Sequence, residues 1–237
     1  MSETSSTVSI GDLVTAKPGR SRVFEKFGVD YCCRGKQTLE DACAADGKDL
    51  AAILAALSLF DAANESSEEP DCDAMSLTEL VDHLEATHHA YLKEEFQPLG
   101  ELVEKVFGVH GGHFAWIGEL RRNYRDLVME LTAHLEKEEV VLFPMIRELE
   151  LSASKPNFHC GSVENPINVM EMEHDAAGLL LGSMRQLSSD YTPPAEACNS
   201  FRAMMERLEA MEYDIHRHIH KENSILHPKA KALEESL

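Results

Sequence analysis

Apolar side chains recur along four long stretches of this chain at alternating steps of four and three residues, the spacing of one face of an α-helix. In the second stretch Leu120, Tyr124, Leu127, Leu131, His134, Glu138, Val141 and Met145 share that face. In the fourth, Phe201, Met204, Leu208, Met211, Ile215, His218, Glu222 and Ile225 do the same. The third carries Ile167, Met170, His174, Ala177, Leu181 and Met184. The first is less regular. Counting back from Val106 through Val103, Leu99, Phe96 and Leu92 reaches His89, whereas counting forward from Leu77 through Val81 and Leu84 reaches His88. The longer adjoining stripe favours His89. The pattern predicts helices over roughly 76–107, 113–150, 164–189 and 194–234. Gly108 with Gly111-Gly112, Pro156 through Gly161, and Pro193-Pro194 separate them. Four long helices on short connections predict an all-α, up-down four-helix bundle.

Ahead of the bundle the pattern shortens. Pro18 suits a first helical turn before Val23, Phe24 and Phe27, with Gly28 as a stop. Thr38-Leu39-Glu40-Asp41 resembles a capping box for a helix ending near Gly47, and another helix covers Leu50 to Phe60. The expected domains are a small N-terminal helical unit over 1–60, an acidic linker over 61–75 and the bundle over 76–237. Residues 61–73 hold six acidic side chains and no basic one, the composition of a self-repelling coil. Its span, on the order of 20 Å, would let the small unit dock over the bundle's open end and separate again.

Charge narrows the partners. The chain has 237 residues, 22 Lys+Arg against 42 Asp+Glu, and a formal charge of −20. Such a protein is repelled by phosphate backbones and anionic lipid surfaces, so no nucleic acid and no membrane partner is expected. The first residues show neither the basic nor the apolar part of a signal peptide, and the longest apolar run, Ala51 to Phe60, is too short to span a bilayer. With six cysteines and no secretion signal, reduced thiols in a cytoplasm are the expectation. A second copy of the chain is an admissible partner.

The chemistry lies on the apolar seams. Four histidines, His89, His134, His174 and His218, and two glutamates, Glu138 and Glu222, face one bundle axis. A lone core histidine is ordinarily a satisfied polar group. Two uncompensated buried carboxylates are a different matter: each costs several kcal/mol, against a whole domain's ~5–15 kcal/mol. No lysine or arginine shares the stripes, so a metal cation is expected to neutralise them. Six imidazole and carboxylate ligands exceed what one tetrahedral zinc needs. Two ions fit better, each with two histidines, both glutamates bridging, and a solvent-derived oxo or hydroxo group between. A nitrogen-rich site of this kind suits iron that binds or reduces small diatomic molecules, although spacing leaves zinc and manganese open. Most remaining histidines, among them His83, His88, His220 and His227, read as solvated, with His110 a candidate contact behind a ligand. Glu173, beside His174, is a candidate for lining a route for protons or iron.

Outside the bundle, Cys32 and Cys33 are adjacent, which points to free thiols rather than a strained vicinal disulfide. Arg34, Lys36 and a following helix start favour thiolate. The alternative is two small residues buried in a tight turn.

At these residues the chain resembles the iron-sulfur cluster repair di-iron proteins, the repair of iron centres family. Asp30-Tyr31-Cys32-Cys33-Arg34-Gly35-Lys36-Gln37-Thr38-Leu39 is similar to the motif of that family's short N-terminal domain. His134 to Glu139 with Leu142-Phe143-Pro144, Met172 to Asp175, and His218 to Glu222 resemble hemerythrin-like domains. The resemblance implies cytoplasmic repair of clusters damaged by nitric oxide or oxidants, through iron donation or nitric oxide reduction. It implies two iron ions per chain on His89, His134, Glu138, His174, His218 and Glu222, and a functional role for Cys32 and Cys33. Its partners would be damaged iron-sulfur proteins, with nitric oxide or oxygen as small ligands. Two departures stand out: His227 before Pro228, where an aromatic residue is usual, and Arg34, where glycine is common. The rival readings are a hemerythrin-like carrier or sensor of oxygen or nitric oxide, and a structural protein with a fixed metal.

Overall fold

The computed structural model of the chain describes residues 6–63 and 70–237. Residues 64–69, within the expected linker, and residues 1–5 lie outside the described residues. The described chain is helical, with only isolated bridges, Ser9 with Thr38 and Phe158 with Gly161.

Four short helices form the N-terminal unit: α1 (Ile10–Ala16), α2 (Ser21–Lys26), α3 (Leu39–Asp46) and α4 (Leu50–Ala63). Their ends follow the sequence signals. The Thr38 hydroxyl accepts from the Asp41 backbone N–H at 3.1 Å, and Gly47 ends α3 at φ 64°, a left-handed conformation open to glycine at little cost. Gly28 is likewise at φ 62° after α2. Helix α4 runs three residues past Phe60, into the segment expected to be linker.

The four bundle rods are not uninterrupted helices. The first is α5 (Leu77–Leu84), a π-helical turn over Glu85–His89, and α6 (Ala90–His110). The second is α7 (Trp116–Lys137), a π-turn over Glu138–Leu142, and α8 (Phe143–Leu151). The third is α9 (Glu164–Leu187), without interruption. The fourth is α10 (Asn199–Lys221), a π-turn over Glu222–Leu226, and α11 (His227–Ser236). Each π-turn closes on a bond five residues long: Ala90 N–H to the Glu85 carbonyl, Phe143 to Glu138, His227 to Glu222. Pro144 and Pro228 follow two of the closing residues. Lacking an N–H, they cannot resume the ordinary ladder at that point. Such turns concentrate at functional sites because they swing neighbouring side chains to one face.

The apolar interior falls into two clusters. One joins the N-terminal unit to α6, α7, the later half of α9 and α10; the other joins α5, α8, the start of α9 and α11. The buried band between them holds His89, His134, Glu138, His174, His218 and Glu222. The N-terminal unit does not cap an end of the bundle. It packs on the flank at the level of this band, with Cys33 against α9, Thr15 against His220 and Ser21 against Tyr213.

Candidate metal centre

The six side chains meet in a set pattern. Two pairs of imidazole nitrogens converge, His89 Nε2 with His218 Nε2 at 3.1 Å, and His134 Nε2 with His174 Nε2 at 3.1 Å. Each carboxylate gives one oxygen to each pair. Glu138 Oε2 lies 3.5 Å from His89 and Oε1 3.3 Å from His134. Glu222 Oε1 lies 3.1 Å from His218 and Oε2 3.1 Å from His174. The result is two four-residue groups that share both glutamates, the ligand atoms of each lying within 4.8 Å of one another. His88 is not among them; its ring stacks on His218 at 5.4 Å.

The donor set needs positive charge. Burial disfavours a charged His134, yet Glu138, Glu173 and Glu222 outweigh it and push its imidazole up to about 10. Burial also opposes a charged Glu222, but His218 and His174 hold its carboxyl well below the usual range. Both oxygens of Glu138 and Glu222 Oε2 have no hydrogen-bond donor among the described residues. Carboxylates buried with unused lone pairs, beside converging neutral-capable nitrogens, are what a metal cation satisfies. The residues therefore fit the metal that the sequence implied.

Three of the histidines are oriented from behind. His89 Nδ1 lies 2.8 Å from Glu139 Oε1, His134 Nδ1 2.9 Å from Glu173 Oε2, and His174 Nδ1 3.0 Å from Asn223 Oδ1. Donation from Nδ1–H to these acceptors leaves Nε2 free to face inward. Lys93 pairs with Glu139 at 2.5 Å, and Lys137 pairs with Glu173. Glu173 thus sits behind His134, where sequence reasoning had offered a route for protons or iron. Glu139 and Asn223 were missed. Each follows a bridging-position glutamate by one residue, and the repeat His-x-x-x-Glu followed by a polar residue was the available signal.

The remaining histidines correct an expectation. His88, His220 and His227 are buried, not solvated. His88 bonds Asp214 at 2.8 Å and meets Lys221 Nζ at 2.8 Å. His227 stacks on His174 at 6.1 Å, as Phe143 stacks on His89 at 5.4 Å. Each follows its glutamate by five residues, so the histidine replaces the aromatic ring of the matching position. His110 stands instead beside Cys198 and Phe201, far along α6 from the band.

The cysteine pair also departs from expectation. Arg34 is engaged by Asp46 at 3.1 Å, and Lys36 by Glu171 at 3.0 Å, so both cations are paired with carboxylates rather than with the thiols. The hydrogen bond to Cys33, burial and the nearby Asp30 carboxylate push the Cys32 thiol up instead. Cys33 is half-buried, and its Sγ lies 3.4 Å from the His174 carbonyl. All six cysteines are free.

Comparison with known proteins agrees with this arrangement. The hemerythrin HHE cation binding domain matches residues 80–230, and a domain of unknown function, ScdA_N, matches residues 6–61. Over 223 residues the chain is 36% identical to the iron-sulfur cluster repair protein YtfE of Citrobacter koseri, covering 94% of this chain and 96% of the relative. The chain belongs to this family. The YtfE protein of Yersinia pseudotuberculosis is 37% identical over the same coverage, and that of an Enterobacter species 36%. Membership in the YtfE family brings a cation-binding domain, and within it this chain has two His/Glu groups that could hold a metal ion. Among the described residues no helix is long and apolar enough to cross a membrane.

Proposed function

We propose that this protein repairs iron-sulfur clusters damaged by nitric oxide or oxidants, using two iron ions held in the bundle. The observation that carries the reading is the double sharing of Glu138 and Glu222 between two histidine pairs. His89 and His218 would hold one ion, His134 and His174 the other, and both glutamates would bridge. Bound iron would supply an exchangeable, redox-active cation able to take up a small diatomic molecule. The chain's own residues orient and insulate it. Glu139, Glu173 and Asn223 fix the imidazole tautomers, and the two apolar clusters keep bulk water from the band on either side. All six side chains come from one chain, so no second copy is needed to complete the site.

The N-terminal unit gives this reading its direction. Cys33 touches the backbone of His174, and Asn223 bonds both the His174 ring and the Cys32 carbonyl. The thiols therefore stand against the backbone of a proposed ligand, where they can receive iron leaving the centre or pass electrons towards it. A simple oxygen or nitric oxide carrier has no use for that arrangement. Free thiols suit a reducing cytoplasm.

The test is a paired assay of iron per chain and of recovered activity in an enzyme whose cluster nitric oxide has damaged. The wild type should restore activity. Cys32→Ser with Cys33→Ser should keep the bundle iron and lose repair. Reversible oxygen binding without any repair by the wild type would replace this reading with the carrier.

A further inference from the structure

A second group of metal-ligand type lies outside the bundle seam. Asp30, Cys32 and Cys33 bring a carboxylate oxygen and two sulfurs within 4.8 Å of one another. Asp30 Oδ1 accepts from the backbone N–H of Cys32 at 3.1 Å and of Cys33 at 2.9 Å. That tight turn sends both thiols to the side of the same carboxylate.

The distances can be compared with a tetrahedron. With metal–sulfur bonds of about 2.3 Å, two thiolates on one ion stand ~3.8 Å apart, and with metal–oxygen bonds of about 2.1 Å a sulfur and an oxygen stand ~3.6 Å apart. The two sulfurs here are 3.7 Å apart. Asp30 Oδ1 is 3.3 Å from Cys32 Sγ, and the His174 carbonyl oxygen is 3.4 Å from Cys33 Sγ. Three edges of a four-donor site are therefore close to their bonded lengths. Room is also kept for it. A Cβ on Gly178 would stand 3.3 Å from Cys33 Sγ, so the bare glycine lets the sulfur sit against α9. The pair lies between two cavities, one of about 180 Å³ on the Tyr31 and His216 side and one of about 60 Å³ on the Lys36 and Asp175 side.

We propose that Asp30, Cys32 and Cys33 form a separate site for one thiophilic divalent cation, Zn²⁺ or Fe²⁺, with the His174 carbonyl as fourth donor. Two sulfurs select this class over Mg²⁺ or Ca²⁺. Binding releases two thiol protons and the waters that the four donors displace from the hydrated cation; no electron moves. The site stands on its own distances and does not require that the bundle ions be iron.

Cobalt(II) is the probe, because thiolate ligation gives it near-ultraviolet charge-transfer absorption and a tetrahedral site gives strong visible bands. Full-length protein, reduced and with its bundle centre already loaded, is titrated with Co²⁺ in the absence of oxygen. One further equivalent should bind with both signatures. Cys33→Ser, which keeps the side-chain size, should abolish the charge-transfer band while bundle metal and melting temperature stay near wild type. Asp30→Asn should weaken Co²⁺ binding at least about tenfold. In His134→Ala, which removes a bundle ligand, the thiolate band should persist. Absence of the band in reduced wild type, or its survival in Cys32→Ser with Cys33→Ser, overturns the site.

Discussion

His174 Nδ1 lies 3.0 Å from Asn223 Oδ1, and the same amide donates to the Cys32 carbonyl at 3.3 Å. One buried side chain thus orients a bundle histidine and fastens the N-terminal unit. Removing such a support behind a ligand typically costs 10–100-fold in metal affinity. We expect Asn223→Ala to weaken metal retention by roughly that factor, measured by competition with a chelator. Unaltered retention would mean that His174 is held by the fold alone.

His134 and Glu222 serve both the seam and the proposed centre, so binding and folding are linked through them. The wild type should carry about two metal ions per chain, with near-ultraviolet absorption when iron-loaded and oxidised. His134→Ala and Glu222→Ala should each lower that content and change the melting temperature in a metal-dependent way. Full occupancy in both variants, read by metal analysis, would contradict the ligand assignment.

Gly35 packs tightly between its own turn and the fourth rod. A Cβ there would fall 2.6 Å from the Tyr31 carbonyl and 3.3 Å from Ser224 Oγ. The first contact is backbone and cannot move aside as a flexible side chain can. Gly35→Ala should destabilise the protein by about 1–3 kcal/mol, seen in denaturant unfolding, with increased reactivity of Cys32 towards a thiol reagent. A stable variant with protected Cys32 would show that the turn adapts.

Burial, aided by the Lys221 charge, holds the His220 imidazole down to about 4. In the unfolded chain the ordinary value is ~6.5. The unfolded state therefore binds the extra proton between roughly pH 6.5 and 4, and stability is lost as pH falls through that window. His220→Gln should lessen the loss by on the order of 2–3 kcal/mol, compared in melts at pH 7 and pH 4.5. Parallel curves for the two proteins would assign the acid sensitivity to other groups.

The four rods and the facing of His134, Glu138, His174, His218 and Glu222 were legible in the sequence because helical periodicity is local. A side chain four residues on from another shares its face whatever else the chain does. The choice of His89 over His88 also came from periodicity, and the structure brings His89 to the glutamates. What periodicity could not supply was the π-turns over Glu85–His89, Glu138–Leu142 and Glu222–Leu226, which alter the phase at the band itself. Through them Glu139 and Asn223, off the stripes in a regular helix, reach His89 and His174.

Charge neighbours were the other gap. Arg34 and Lys36 are close to the thiols in sequence, but Asp46 and Glu171, distant in sequence, take them up. Asp30 is left beside Cys32. His220 and His227 looked solvated because polar residues at helix ends usually are, yet the N-terminal unit covers one and α9 the other. The sequence by itself determined which residue types stand on each helix face, since that depends only on spacing. Only the tertiary structure decided which groups meet across helices, because those meetings depend on rotation, docking and burial set by the whole fold.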